Sequence, residues 1–458
     1  ANTTASFNTA LGYQALGSTT TGAQNTAVGR SAMIVNTTGN NNVAVGMNSL
    51  TTSTTADNTV AIGHSALAAC TTGDNNVAVG RSALGSNTTA SNNVAVGDLA
   101  LNQNTTGDSV CAVGALALFQ STTADNCTAV GRSSLYSNTT GANNTAVGKS
   151  ALEQNTTGTQ NVAVGKDALA SNTTADNNTA VGFQALTSVT TADGNSAFGP
   201  KTLENNTTGE SNTALGGFAL RANTTASNNT AVGINALTAN TTGAANTAVG
   251  TYALDENTTG NYNTAVGTYS LGENTGSDNT AVGYTALEKN TSGTNNVAVG
   301  KAALDTNTTG YNNTGVGKSA LDANVDGYQN TAVGTYALDA NTDGDNNNGF
   351  GVNALTTCST GRNNNAVGVN ALKYLTSGGQ NQGIGGDALQ GVTTGSNNIG
   401  IGHDAGRGNS PSGNITTGSN NIVLGDDQIT NLYCNDTSIS SSDKRDKTDI
   451  ADFTHGLN

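Results

Sequence analysis

The sequence predicts an all-β solenoid, in which a short unit forms one coil and successive coils stack on each other. Three observations predict it: a 17-residue period from residue 7 to 425, a short β-branched run in every unit, and the lack of a 3.6-residue apolar period. Counted by the glycine that closes each Ala-Val-Gly or its equivalent, the 458-residue chain holds 25 copies. We therefore expect residues 1–425 to form one repetitive shaft, a parallel β-roll with 17-residue coils.

The copy at residues 144–160 illustrates the elements of one coil. Its residues 145–147 (Thr-Ala-Val) are short and β-branched and predict a strand. Gly148 predicts a turn, because glycine tolerates positive φ. Residues 151–152 (Ala-Leu) predict a second short strand, and residues 155–158 (Asn-Thr-Thr-Gly) predict a second turn.

Stacking of the coils predicts where the core lies. Val28, Val45 and Ile62 occupy one position of the repeat and should stack as an apolar column, as should Leu152 and its equivalents. A spacing of about 4.8 Å per coil predicts a rod of roughly 115 Å. A core of Ala, Val and Leu at two or three positions is thin, so we expect chains to associate side by side.

Composition excludes several classes of function. Sixteen basic and 31 acidic residues give a net charge of −15, which disfavours nucleic acid as a partner. No apolar stretch approaches the length of a membrane span, so we expect no membrane insertion. Ala1 is not an initiator methionine, and we expect an attachment region to precede it.

The five cysteines do not predict a disulfide framework. Cys70 and Cys358 both occupy the position of Asn155 in the repeat, many coils apart. Cys111 and Cys127 occupy polar positions shortly before their repeat glycines, and Cys434 follows the last repeat. We interpret them as small fillers rather than disulfide partners or metal ligands.

A weak metal candidate lies in residues 339–344 (Asp-Ala-Asn-Thr-Asp-Gly), which resemble the first half of a calcium-binding loop. Its candidate ligands are Asp339, Asn341 and Asp343. The twelfth position, where that loop requires a bidentate glutamate, is Phe350. We therefore expect drift of the repeat turn rather than a metal site, and we expect no cofactor.

The unit Asn-Thr-Ala-Val-Gly-x-x-Ala-Leu resembles the Ala-Ile-Gly-x-x-Ser/Ala repeat of trimeric autotransporter adhesin heads. The resemblance is in the type of repeat and covers most of the chain, although the repeat of that family is usually nearer fourteen residues. Heads of this family are parallel left-handed β-rolls with three chains. The resemblance implies an elongated homotrimer.

The C-terminal residues 442–450 (Ser-Asp-Lys-Arg-Asp-Lys-Thr-Asp-Ile) resemble the start of the intramolecular chaperone domain of phage tailspikes, endosialidases and tail fibres. In that family the domain assembles a homotrimer and then cuts itself off through a serine and a lysine, which Ser442 and Lys447 match. A buried lysine with a lowered pKa can serve as the base that activates a serine hydroxyl. The resemblance implies a neck at 426–441 and a truncated chaperone domain at 442–458.

Together these features predict a trimeric viral tail fibre or appendage shaft for host attachment, located on the virion surface. The expected partners are two further copies of the chain, a host-cell surface receptor or glycan, and virion tail or capsid proteins. A bacterial trimeric cell-surface adhesin, with a membrane anchor encoded downstream, is the alternative. An ice-binding solenoid, suggested by the threonine columns, is a third class. We expect no enzyme activity apart from self-cleavage at Ser442.

Overall fold

A computed structural model of the chain describes residues 4–431 and has the predicted all-β, parallel solenoid fold. These residues contain 25 strands of three residues each, one per coil, and no helix. The chain divides into two compact units, the first ending at Asp278 and the second beginning at Asn279. Each unit is a stack of coils.

The first unit contains strands β1–β16. Each strand pairs in parallel with the next one, 17 residues on, so that Thr145 lies beside Val162 and Val147 beside Val164. The strands are β1 Thr9–Leu11, β2 Thr26–Val28, β3 Val43–Val45, β4 Val60–Ile62, β5 Val77–Val79, β6 Val94–Val96, β7 Cys111–Val113, β8 Thr128–Val130, β9 Thr145–Val147, β10 Val162–Val164, β11 Thr179–Val181, β12 Ser196–Phe198, β13 Thr213–Leu215, β14 Thr230–Val232, β15 Thr247–Val249 and β16 Thr264–Val266.

The second unit contains strands β17–β25. The last pairing joins residues 23 positions apart, with Ile399 beside Ile422, because the coil between β24 and β25 contains six additional residues. The strands are β17 Thr280–Val282, β18 Val297–Val299, β19 Thr314–Val316, β20 Thr331–Val333, β21 Asn348–Phe350, β22 Asn365–Val367, β23 Gln382–Ile384, β24 Ile399–Ile401 and β25 Ile422–Leu424.

The predicted second strand of the coil is a turn in the structure. In the 144–160 copy, Ser150 and Leu152 both adopt left-handed φ values, 57° and 51°. The amide of Ala151 donates to the carbonyl of Gly148 at 3.4 Å, and the amide of Leu152 donates to Ala168 of the next coil at 3.0 Å. The backbone thus bonds from coil to coil here without extended geometry, so this prediction was wrong.

The middle residue of strands β2–β25, most often alanine, lies in the core, and the third residue, most often valine, lies on the outside. Ala146, Ala151 and Leu152 are fully buried, whereas Val147 is 36% exposed. Val28, Val45 and Ile62 do stack in register as predicted, but on the outer side of their strands. Alanine or glycine occupies the inward position in β1–β24 and Val423 occupies it in β25, so the narrow coil favours a small residue there.

Two columns of buried asparagine complete the core. Asn155 donates to Asn138 of the preceding coil at 2.7 Å and to the carbonyl of Gly158 at 3.0 Å. Asn144 donates to the carbonyl of Gly158 at 2.7 Å and accepts from the amide of Asn161 at 2.9 Å. These side chains satisfy turn carbonyls and amides that the narrow coil would otherwise bury without partners.

Glycine at the end of each strand is required by close approach as well as by conformation. Gly148 has a φ of 138°, and a Cβ there would lie 2.5 Å from the carbonyl oxygen of Gly165. A side chain at this position would separate adjacent coils. The glycine column that revealed the repeat is therefore a packing requirement of the stack.

Candidate functional surfaces

The most extensive candidate surface is the outer sheet face, defined as the first and third residues of strands β1–β25. In every strand the third residue is Val, Leu, Ile or Phe, and neither outward residue of any strand is charged. The third residue is exposed in many strands, as at Val147 (36%), Ile401 (45%) and Leu215 (49%), and half-buried in others, as at Val28 and Val164. In a chain with a net charge of −15, an uncharged apolar column repeated in every coil is typical of a protein-binding surface.

A second regular surface is formed by the threonine pairs of the Asn-Thr-Thr-Gly turns. The second threonine of the pair is exposed in fifteen consecutive coils, from Thr21 to Thr259. The first threonine is engaged by the fold, since the hydroxyl of Thr156 donates to the carbonyl of Thr173 in the next coil at 2.9 Å. One free column of hydroxyls in a bend remains, not the flat two-column lattice that an ice-binding face would need.

The weak metal candidates at 339–343 lie in different environments. Asn341 is fully buried, and its amide donates to Asn324 at 2.7 Å and to the carbonyl of Gly344 at 3.1 Å. Asp343 is exposed and Asp339 is half-buried. Asn341 thus belongs to the buried asparagine column, and the structure does not direct these three side chains towards one point.

Asp322 and Asp339 lie one above the other in consecutive coils. Burial raises the pKa of both carboxyl groups, and the neighbouring charge of Asp322 raises the pKa of Asp339 further. A hydrogen bond from Ser319 opposes the rise at Asp322. Burial first, and the charge of Asp322 second, therefore disfavour ionisation of Asp339.

The described cysteines are free thiols. Cys127 fills a position of one asparagine column, and Cys70 and Cys358 fill positions of the other. Burial raises the pKa of Cys127 to about 11 and that of Cys358 to about 12, so both thiols are protonated and unreactive at neutral pH. Cys111 differs, because it is the first residue of β7 and is half-exposed on the outer sheet face.

A charged cluster that the sequence analysis missed lies beside the six-residue insertion. His403 Nδ1 is 3.3 Å from Asp404 Oδ2 and 3.8 Å from Asp426 Oδ2. Arg407 Nη1 lies 2.5 Å from Asp404 Oδ1 and 3.7 Å from Asp387 Oδ2. Imidazole and carboxylate are suitable ligands for a divalent metal, but the guanidinium of Arg407 already pairs with the carboxylates of Asp387 and Asp404.

An open cavity of about 370 Å³ lies next to the same insertion, lined in part by Tyr374, Gln390, Arg407 and Asn414. Gln390 donates to Asp387 at 2.6 Å, so its amide is engaged within the charged cluster. The residues that line this open cavity include no nucleophile paired with a base.

The residues predicted to carry self-cleavage, Ser442 and Lys447, lie outside the described residues, as do Cys434 and His455. Their roles remain predictions from the resemblance alone. Comparison with protein-family models and with curated proteins gives no match. Within residues 4–431, no helix is long and apolar enough to cross a membrane.

Proposed function

We propose that this chain is a structural fibre, the shaft of a homotrimeric viral tail fibre or appendage that serves host-surface attachment. The observation that carries the proposal is the outer sheet face, which is uncharged in all 25 described strands and has an apolar third residue in each of them. Repetition supplies length, and lateral association of identical chains covers the apolar column. The further partners are a host-cell receptor or glycan and the tail or capsid proteins of the virion, and the place of action is the virion surface.

A second copy of the same chain fits this surface better than an unrelated partner does. The apolar third residues recur at each coil, for example Val130, Val147 and Val164 in consecutive strands. A partner that covers the whole column must present apolar groups at the same spacing. A parallel copy of the chain has that spacing by construction, and the isolated coil has a thin core that gains from such burial.

The test is the mass of the full chain in solution, with variants that place charge on the outer sheet face. Light scattering should give three times the 45.3 kDa chain mass. Replacing Val130, Val147 and Val164 by lysine should dissociate the trimer, because buried unpaired ammonium groups are costly. The matched control carries lysine at Ser137, Gln154 and Ser171, in the same coils but away from the strands. A monomeric unmodified chain would overturn the proposal.

The C-terminal part of the proposal rests on the resemblance of residues 442–450. Ser442 would be the nucleophile of a single self-cleavage and Lys447 its base, after the chaperone domain has assembled the trimer. In a chain extended through the whole domain, Ser442→Ala should leave the precursor uncut. Normal processing of that variant would refute the assignment.

A bacterial trimeric cell-surface adhesin has the same predicted shaft and is the alternative. The coding sequence downstream separates the two, because an adhesin continues into a membrane anchor and a viral fibre into its chaperone domain. Ice binding is less favoured, since the hydroxyl of Thr156 and its equivalents donate to the next coil. A measurement of thermal hysteresis decides that point directly.

A further inference from the structure

The outer sheet face is not uniform along the chain, and its irregularities are informative. If all coils were alike, two copies could slip by one coil with little change in their contacts. The residue that follows each repeat glycine varies most. It is charged in many coils, as at Arg81, Lys149, Lys166 and Lys301.

In the first unit this charged position turns apolar over a short block. Phe183 and Ile234 follow the glycines after β11 and β14, and they are 43% and 55% exposed. In the strands between them, Phe198 and Leu215 replace the usual valine and are 40% and 49% exposed. Phe183 and Ile234 thus add a second apolar residue to the coils of β11 and β14, and Phe198 and Leu215 enlarge the apolar residue of the two coils between them. These four residues form the first patch.

A charged rim borders the first patch. The ammonium of Lys166 lies 5.5 Å from the ring centroid of Phe183. Glu204 pairs with Lys201 at 2.9 Å and with Arg221 at 2.7 Å. An apolar centre with a polar rim is the usual organisation of a protein–protein interface.

The first patch also contains a pairing of large and small residues. Phe198 is the third residue of β12, and the first residue of that strand is Ser196, the smallest residue at that position in the 25 described strands. A bulky ring therefore stands beside a small side chain within one coil. Two parallel copies in register can place the ring of one chain against the small side chain of the other.

The second unit has a block of the same kind. Phe350 replaces valine in β21, and Val352 and Val369 follow the glycines after β21 and β22. Together with Val367, these residues form the second patch, and they are 41% to 53% exposed. Each unit thus contains a short block in which exposed aromatic and aliphatic residues enlarge the apolar surface at and beside the strands.

We propose that the two patches set the register in which copies of this chain associate. In register, each patch meets the same patch of the neighbouring copy. A slip of one coil brings Phe183 level with Lys166 of the other chain and Ile234 level with its Gly217, which buries an ammonium group and exposes the aromatic ring. The inference rests on the proposed self-association and assigns to the shaft itself a role in alignment.

Cys111 provides a reporter of register because its thiol lies on the outer sheet face. In all chains Cys434 is replaced by serine, so that Cys111 is the reactive thiol beside the buried Cys70, Cys127 and Cys358. A second version carries Cys111→Ser and Thr128→Cys, which moves the thiol one coil along the same column. The two versions carry tags of different size, are co-expressed and are cross-linked with a short bis-maleimide.

Association in register should give links within each version, because identical residues meet. Links between the two versions report a slip of one coil. The test variant gives both patches the residue types of ordinary coils, which keeps the fold: Phe183→Lys, Phe198→Val, Leu215→Val, Ile234→Thr, Phe350→Val, Val352→Lys and Val369→Thr. Links between versions should rise several-fold in this variant.

The matched control is Tyr262→Thr with Tyr374→Thr, which removes two exposed aromatic rings away from the outer sheet face. It should leave the pattern of cross-links unchanged. An oligomer whose between-version links do not increase when the patches are erased overturns this inference and leaves the proposed function standing. A monomeric chain by light scattering overturns both.

Discussion

Left-handed residues hold the shape of each coil. In the 144–160 copy the non-glycine residues with positive φ are Ser150, Leu152 and Gln160. For a residue with a Cβ this conformation costs about 1–2 kcal/mol. The strain is offset because the amide of Leu152 bonds to the next coil and its side chain is fully buried. Contacts with the next coil, rather than the intrinsic preference of leucine, therefore maintain the left-handed φ of Leu152.

The asparagine columns give the first prediction. Asn155→Ala should lower the free energy of unfolding by about 1–3 kcal/mol, because Asn138 and the carbonyl of Gly158 lose a buried donor. Asn155→Cys should cost less, since Cys70 and Cys358 already fill this position in other coils. Urea denaturation followed by circular dichroism measures both. The control is Gln154→Ala at the exposed neighbour, and an equal loss there would argue against the column.

Stability of the second unit should depend on the protonation of Asp339. Its pKa is raised in the folded chain by burial and by Asp322, so the folded state binds the proton more tightly than the unfolded state. Stability is then highest below the ordinary carboxyl pKa of about 3.9 and falls as pH rises through the folded-state pKa. Asp339→Asn should therefore raise the urea midpoint at pH 7 and lose this advantage at low pH.

The control for this prediction is Asp343→Asn, because that side chain is exposed. It should change the midpoint little at either pH. If Asp339→Asn proved destabilising at pH 7, its carboxylate would have to be a ligand or an ion-pair partner, and the electrostatic account would fail.

The orientation of individual residues is what sequence reasoning could not supply. Alternation in Thr145-Ala146-Val147 indicates that the middle residue faces away from its neighbours, but not which side is the interior. Hydrophobicity alone would favour Val147 in the interior, whereas in the structure Ala146 is buried there and Val147 is exposed. The left-handed φ of Leu152 could not be predicted either, because leucine rarely adopts such a φ.

At the scale of the element, the coil is a cooperative unit that bonds only to the coil before and the coil after it. Deleting residues 144–160 joins Asn143 to Asn161 and restores the same sequence of positions. The shortened chain should fold with an unchanged spectrum and only slightly altered stability, as expected for a one-dimensional array. Deleting 144–152 instead should disrupt the stack. Similar stability of the two deletions would contradict the coil as the folding unit.

The natural variations in coil length support this account of the element. The sixteen-residue step removes one residue of the Asn-Thr-Thr-Gly turn, and Asn274 still donates to Gly276 at 2.9 Å. The six-residue insertion near Arg407 leaves the pairing of Ile399 with Ile422 intact. Both changes of spacing are visible in the sequence, because the repeat glycines lie 16 residues apart from Gly267 to Gly283 and 23 residues apart from Gly402 to Gly425. The sequence also contained a signal for the missed charged cluster, because Asp387 and Asp404 lie 17 residues apart.

At the scale of the whole molecule, the chemistry of the outer sheet face predicts how assembly responds to salt. The face carries no charged residue in its 25 strands, so association should be driven by apolar burial. Raising the salt concentration from low to about physiological ionic strength should leave the oligomer intact, since screening acts on charges. Light scattering across a salt series checks this. Dissociation by salt would indicate that ion pairs hold the chains together instead.

The buried asparagine columns also determine in which cells this protein can be made. Each Asn-Thr-Thr turn is an acceptor sequence for N-linked glycans, yet Asn155 is fully enclosed once its coil has closed. A glycan attached to the nascent chain would prevent that closure. Secretion from a eukaryotic cell should therefore give a glycosylated, protease-sensitive product, and blocking glycan addition should restore a resistant one. The chain should therefore fold only in cells where its asparagines are not glycosylated before the coils have stacked.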